Sequence, residues 1–107
     1  MNERPYALHG RTHKVRVPGV DHAIYITVTA DDAGRPRELF ANTKAAELVP
    51  WLTAVTRLAT LALAHGAPAD RVAEELRTVF DPRGGYHDTS GAMLSVVSHI
   101  GVLLERH

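Results

Sequence analysis

Residues Glu74 to Gly85 read Glu-Glu-Leu-Arg-Thr-Val-Phe-Asp-Pro-Arg-Gly-Gly, and the rest of the predicted fold is arranged around them. The first part continues an amphipathic helix. Asp81-Pro82 ends that helix, because proline has no N–H and disfavours a helical residue before it. The loop Arg83-Gly84-Gly85 follows, and a new helix is expected after His87-Asp88-Thr89-Ser90. Helix breakers, a cation and a helix start converge here, so a small anionic ligand is sought here first.

The residues before this stretch alternate between apolar and polar over three segments, which is typical of half-buried strands. Strands are predicted at residues 12–17, 22–30 and 36–41, and the clearest pattern is in 22–30, where Ile24, Ile26 and Val28 share one face. Residues 1–11 have no clear period and are predicted to form an extended arm. The first half is therefore predicted to be an antiparallel β-meander that needs a helical layer over its apolar face.

After Asn42 the apolar residues recur every three or four positions, which predicts helices. The first helix is expected to begin near Val49 and to end at Gly66 in a left-handed cap. Pro68 is expected to open the second, whose apolar side is formed by Val72, Leu76 and Val79.

The third helix is predicted from about Gly91 to Arg106, with Ser90, Thr89 or Asp88 as its N-cap. Three strands followed by three helices predict a two-layer α+β domain that spans residues 1–107.

Composition restricts the chemistry of the chain. It has no cysteine, which excludes disulfides, thiolate metal sites and thiol nucleophiles. Its 12 cationic and 12 acidic residues are evenly spread, whereas a domain that neutralises many phosphates shows a basic excess, so we expect no nucleic-acid partner. The N-terminus lacks the apolar run of a signal peptide, and the charges interrupt every long apolar stretch. We therefore expect a cytoplasmic protein without a membrane partner.

The loop Arg83-Gly84-Gly85 has two interpretations. As an anion site, its glycines would turn backbone N–H groups towards a phosphate, Arg83 would add a fork of donors, and the helix start at Thr89 and Ser90 would complete the site. The candidate ligand-binding residues are therefore Arg83, Gly84, Gly85, Thr89 and Ser90. As a plain helix connection, the glycines would only satisfy backbone geometry, and Arg83 would pair with Asp81 or Asp88. No catalytic residue and no metal ligand is assigned.

Other residues suggest further roles. The seven histidines are scattered, and no two lie three or four residues apart on a predicted helix, so a metal site is not predicted. Trp51 is expected to be a rim or core anchor at the start of the first helix. Tyr25, on the face opposite Ile24, is expected to pack, and an exposed sheet face or edge there would allow a homodimer.

Several segments in order resemble the TSCPD domain, which lies at the C-terminal end of adenosylcobalamin-dependent ribonucleotide reductases. The segments that carry the resemblance are Arg4-Pro5, Gly10–Val15, Asp21–Thr27, Arg35–Phe40 with Asn42, Thr56-Arg57-Leu58, Val79–Gly85, Ile100-Gly101 and Glu105-Arg106-His107. The resemblance covers nearly the whole chain from Arg4 onward.

This resemblance implies a link to deoxyribonucleotide supply, in which adenosylcobalamin and the radical chemistry belong to a large barrel domain of the reductase. The present 107 residues include neither that barrel nor the cysteines that reductase chemistry needs. The family's name-giving motif also includes a cysteine, and here the comparable helix start reads Thr89-Ser90-Gly91. No catalytic or cobalamin-binding residue is therefore carried over, and no cofactor is expected in this chain.

Three hypotheses of function follow. The leading one is a free-standing, non-catalytic domain in deoxyribonucleotide metabolism that binds a ribonucleotide reductase large chain or a nucleotide. The alternative is a module that sequesters or senses a nucleotide or another small anion through Arg83-Gly84-Gly85. The third is a histidine-based hydrolase.

Overall fold

The computed structural model describes residues 7–107, and its N-terminal half is a three-stranded antiparallel sheet. The strands are β1 (His9–Val15), β2 (Ile24–Ala30) and β3 (Pro36–Thr43), in the order β1-β2-β3. The predicted meander is confirmed, but β1 begins at His9 rather than at Thr12, because His9 pairs with Ala30 at the end of β2. Residues 1–6 of the predicted arm lie outside the described residues.

The central strand β2 supplies the core of the sheet. Ile24, Ile26 and Val28 are completely buried, as their alternation predicts. On the opposite face Tyr25 is exposed, and the hydroxyl groups of Thr12 and Thr27 form a hydrogen bond of 2.7 Å across the strands. The two faces differ because successive side chains of a strand point to opposite sides of the sheet.

Two helices follow the sheet, after a single 3-10 turn at Ala46–Leu48. They are α1 (Val49–Ala64) and α2 (Ala69–Arg77). The predicted starts are confirmed, with Pro50 in the first turn of α1 and Pro68 directly before α2. Gly66 has a φ of +91°, which is the left-handed conformation predicted for the end of α1.

Helix α1 covers the outer edge of β3. The Thr60 hydroxyl accepts a hydrogen bond from the Leu39 N–H at 2.9 Å and lies 3.2 Å from the Leu39 carbonyl oxygen, to which it donates. A side chain thus satisfies the backbone groups that an edge strand otherwise leaves open. Strand addition at this part of β3 is blocked.

The last helix, α3 (Val96–Glu105), crosses α2 at very close range. Gly101 and the fully buried Ala73 lie at the crossing, where small residues allow the two backbones to approach. Ile100 and Leu104 of α3 are buried in the same core as the strands. Three strands and three helices therefore form the α+β fold that the sequence predicts.

The prediction was wrong at residues 86–93. They form a hairpin of β4 (Tyr86–Asp88) and β5 (Gly91–Met93) rather than the start of a helix. Gly91 has a φ of +120°, which a helix does not contain, and Asp88 Oδ1 accepts a hydrogen bond of 2.7 Å from the Ser90 N–H in the turn. The N-cap of α3 is Ser95, whose hydroxyl accepts from the Ser98 N–H at 2.9 Å.

The residues that resemble the name-giving motif of the TSCPD domain do not start a helix. Thr89-Ser90-Gly91 lies at the hairpin turn between β4 and β5. The helix start reads Ser95-Val96-Val97-Ser98, which also lacks a cysteine.

By length and composition alone, residues Ala46–Ala64 could cross a membrane, with a mean hydropathy of 1.2. One such helix is weak evidence, because the core helix of a globular protein passes the same test. Here α1 packs one side against the protein, through Leu52, Thr56 and Ala59. Only 17% of its apolar window is fully buried, and Trp51, Leu58 and Leu61 are exposed.

Candidate functional site

In the loop after α2, the hydrogen-bond donors of Arg83 bind the Asp81 carboxylate. The Arg83 guanidinium binds both carboxylate oxygens, with Nε 3.1 Å from Oδ1 and Nη2 2.9 Å from Oδ2. The Arg83 N–H donates to Oδ1 at 2.9 Å, and the Gly84 N–H donates to the Asp81 carbonyl oxygen at 2.9 Å. The hydrogen bonds from Arg83 lower the pKa of Asp81, so its carboxylate stays charged. An external anion would therefore compete with Asp81 for the donors of the loop.

Glycine is required at the two loop positions for different structural reasons. Gly84 has a φ of +111°, where side-chain-bearing residues are rare, and it closes the turn on Asp81. At Gly85 the constraint is space, because a Cβ atom there would lie 2.0 Å from the Met93 carbonyl oxygen. Neither glycine needs a ligand to explain it.

A pocket of about 350 Å³ lies beside the loop. Arg83, Gly84 and Gly85 line it together with Ser95 and Val96, the N-cap and the first residue of α3. The structure thus brings three of the five candidate residues next to a helix start, but it is a different helix start from the one predicted. Thr89 and Ser90 lie at the hairpin turn and do not line this pocket.

Exposed apolar side chains surround the same loop. We call Val79, Phe80 and Leu94 the Phe80 patch; Phe80 is 67% exposed and Leu94 is 50% exposed. Val79 was predicted on the buried side of the second helix, but α2 ends at Arg77 and Val79 leaves that stripe. The backbone under the patch is fixed, because the Asp81 N–H donates to the Leu94 carbonyl oxygen at 3.0 Å and the Ser95 hydroxyl donates to the Val79 carbonyl oxygen.

A buried network that the sequence did not predict joins the hairpin to α3. The Tyr86 hydroxyl lies 2.7 Å from His99 Nδ1, and His99 Nε2 lies 3.0 Å from an Asp88 carboxylate oxygen. With Nε2–H donating to the carboxylate, Nδ1 accepts a hydrogen bond from the Tyr86 O–H. The only signal in the sequence was the pair Tyr86 and Asp88, which lie two residues apart and thus on one side of a strand, and it required the hairpin to be known.

Burial favours the neutral forms of both Tyr86 and His99 in this network. Burial raises the pKa of Tyr86, and the Asp88 charge raises it further, so the phenol retains its proton. Burial lowers the pKa of His99, although Asp88 acts in the opposite direction. An Asp–His pair can draw a proton from a hydroxyl group, but the acceptor side here faces a buried phenol that resists ionisation. The arrangement is that of a hydrogen-bonded connection.

Two further histidines, His13 and His107, each have a buried ring nitrogen. Within residues 7–107, no group of three or more His, Asp or Glu side chains is placed to hold a metal ion. His13 Nε2 and His107 Nδ1 are buried ring atoms without a hydrogen-bond partner among the described residues. Burial is the main cause that lowers the pKa of each.

We expect acid to lower the stability of the fold, because three histidines have lowered pKa values. His13, His99 and His107 have pKa values below the ordinary 6.5, so the unfolded chain binds more protons than the folded one around and below pH 6.5. Stability should therefore fall as pH decreases through 6.5 towards the lowered folded values. Urea unfolding at pH 7.5 and pH 5.5 checks this through the midpoint. His99→Gln should flatten the pH dependence, and an unchanged slope would contradict the role given to His99.

Comparison with known proteins gives one family. The sequence model of the TSCPD domain matches residues 2–107, essentially the whole chain. No curated protein and no solved structure gives a significant match.

Proposed function

The chain belongs to the TSCPD domain family, and from this premise we propose that it is a non-catalytic binding domain of deoxyribonucleotide metabolism that docks on a ribonucleotide reductase large chain. The observation that carries the proposal is the Phe80 patch. The reductase as partner rests on the resemblance of the chain to the C-terminal domain of adenosylcobalamin-dependent reductases.

The Phe80 patch has the composition of a protein-binding surface. Aromatic and aliphatic side chains form the centre of such surfaces, with charged groups at the rim. Here Phe80 and Leu94 are exposed, and the Asp81–Arg83 ion pair lies beside them. The hydrogen bonds below Val79 and Asp81 hold the backbone in place, which lowers the entropy lost on binding.

The polar groups near the loop support binding over catalysis. Arg83 is engaged with Asp81, and His99 is engaged with both Tyr86 and Asp88. A hydrolase would need a base with access to substrate, whereas His99 is buried. A docking domain needs only a rigid surface.

The experiment titrates the chain against a purified large chain of an adenosylcobalamin-dependent reductase by calorimetry. We expect saturable binding, and Phe80→Glu should weaken it at least about thirtyfold, because even truncation of a central anchor costs about 2 kcal/mol or more. The matched control is Leu58→Glu, which places the same charge at an equally exposed site on α1. Absence of binding by the parent chain, or equal binding by the Phe80→Glu variant, would contradict the proposal.

A second candidate function is nucleotide binding in the pocket beside Arg83. It is favoured by the shared lining of Arg83, Gly84 and the first residues of α3, since a helix start favours anions. Under it, Arg83→Ala should cost about 1.5–3 kcal/mol of binding. Asp81→Asn should instead tighten binding, because it releases Arg83 from its internal partner. Titration with ribo- and deoxyribonucleotides tests both variants, and no heat with any nucleotide would remove this candidate.

A further inference from the structure

Helix α1 carries a second apolar stripe on the side that faces away from the sheet. Trp51, Leu58 and Leu61 are 73%, 66% and 51% exposed, and Ala54 between them is also exposed. Trp51 was predicted to be a rim or core anchor, and the structure places it outside the core; Leu58 faces outward, whereas the adjacent Ala59 is buried. The outward positions follow the 3-4-3 spacing of a helix that packs along another helix.

The stripe continues into a groove between α1 and β3. The groove has a volume of about 730 Å³, and its lining includes Phe40, Leu58 and Leu61. Phe40 is about half exposed and widens the apolar surface beyond the helix. Because Thr60 already satisfies the outer backbone groups of Leu39, an occupant would dock through side chains rather than by adding a strand.

The stripe is complementary to itself when two copies run antiparallel. Its positions are symmetric about residue 56, so Trp51 meets Leu61 of the second copy and the small Ala54 meets the large Leu58. Beyond the apolar positions, Glu47 at the start meets His65 at the end. We propose that a second copy of this chain docks antiparallel along α1, with each of these contacts made twice about a two-fold axis.

The polar residues at the two ends of the stripe favour the antiparallel direction. Glu47 and His65 are both exposed at opposite ends of the stripe, so an antiparallel pair places a carboxylate beside an imidazole that can donate a hydrogen bond to it. A parallel pair would place Glu47 beside Glu47 and His65 beside His65. A lipid surface is favoured by rows of basic residues at the border of the apolar face, whereas α1 holds one cation, Arg57, and is preceded by Glu47.

Self-association is tested by sedimentation of the parent chain over a concentration series up to about 1 mM, the range that detects even weak dimers. We expect the mass to rise from 11.7 kDa towards twice that value. Leu58→Glu should weaken the dimer at least about tenfold, while Leu94→Glu, the same change on the Phe80 patch, should leave it unchanged. A parent chain that stays at 11.7 kDa, or equal weakening by both variants, would overturn the proposal.

The direction of pairing is tested by cross-linking, which the absence of native cysteine makes clean. A mixture of Glu47→Cys and His65→Cys chains should form an intermolecular disulfide, whereas neither variant alone should. Equivalent Glu47 positions in an antiparallel pair lie about 27 Å apart along the helices, at 1.5 Å per residue, which is too far for a disulfide. These substitutions leave the apolar stripe intact. Disulfide formation by Glu47→Cys alone would show parallel pairing and overturn the proposal.

The dimer and the proposed reductase contact use different surfaces, so their failures are distinguishable. Leu58→Glu should lose self-association and keep reductase binding, whereas Phe80→Glu should do the reverse. Loss of reductase binding in the Leu58→Glu variant would show that α1 contacts the reductase and would count against the second copy as its occupant.

Discussion

Gly101→Val is expected to lower the free energy of unfolding by about 3 kcal/mol, the upper end of the range for overpacked sites. A Cβ atom at Gly101 would lie 2.8 Å from the Ala73 carbonyl oxygen, 2.8 Å from the Arg77 amide nitrogen and 2.9 Å from Arg77 Cγ. Two of these atoms belong to the backbone of α2, so relief requires the helices to separate. Alanine at the same position would recover about 1 kcal/mol from its better helix propensity than glycine, so valine is the sharper test.

The measurement is urea unfolding, and the matched control is Gly10→Val in β1. At Gly10 a Cβ atom would make ordinary contacts, 3.6 Å from Thr29 Cγ2 and 3.7 Å from Thr27 Cγ2. Valine also suits an exposed strand, so the control should be neutral or slightly stabilising. If both variants were equally stable, the close crossing of α2 and α3 would be wrong.

The parts of the fold that the sequence predicted are those where a long period meets a clear stop. Strand β2 alternates over seven residues, and Gly66 and Pro68 mark the end of α1 and the start of α2 within two residues. Each signal is local, because it depends on side-chain spacing or on the backbone limits of glycine and proline. Such a local pattern predicts the element correctly when the tertiary contacts favour the same conformation.

The hairpin was missed because its signals are too short. Strands β4 and β5 have three residues each, shorter than the run of about four to eight over which alternation indicates a strand. The apolar stripe of α3 can also be extended backwards through Leu94. Several polar residues before α3 were able to cap it. Ser95 holds that position because its hydroxyl also donates to the Val79 carbonyl oxygen, a contact with a distant segment.

In the candidate site, too, the contact between near residues was among those predicted and the contact between distant residues was not. The pairing of Asp81 with Arg83 spans two residues and was one of the two interpretations that the sequence left open. The contact of Tyr86 with His99 spans thirteen residues and depends on the hairpin. The exposed side of α1 was also not predicted, because apolar residues lie on more than one side of this helix and their spacing does not say which of them face the sheet.

Gly85→Ala is expected to cost about 3 kcal/mol of stability, and it separates the structural role of the Arg-Gly-Gly loop from a role in ligand binding. A Cβ atom at Gly85 would lie 2.0 Å from the Met93 carbonyl oxygen, 3.1 Å from its carbonyl carbon and 3.2 Å from Leu94 Cα, all of which are backbone atoms. The hairpin would have to move away from the loop, at a cost near the top of the range for overpacking. Movement of β4 would also pull Tyr86 from His99.

The neighbouring Gly84→Ala provides the control within the same loop. Its Cβ atom would meet nothing within 4 Å, so only the left-handed φ of +111° is strained, at about 1–2 kcal/mol. Urea unfolding should therefore rank Gly85→Ala as the more destabilised of the two. Hydrogen exchange of the Asp81 N–H, which donates to the Leu94 carbonyl oxygen, should accelerate more in Gly85→Ala than in Gly84→Ala, because the crowded site breaks that contact first. A Gly85→Ala chain as stable as the parent would contradict the packing explanation for this glycine. The interpretation of the loop as a ligand-binding site would then be favoured.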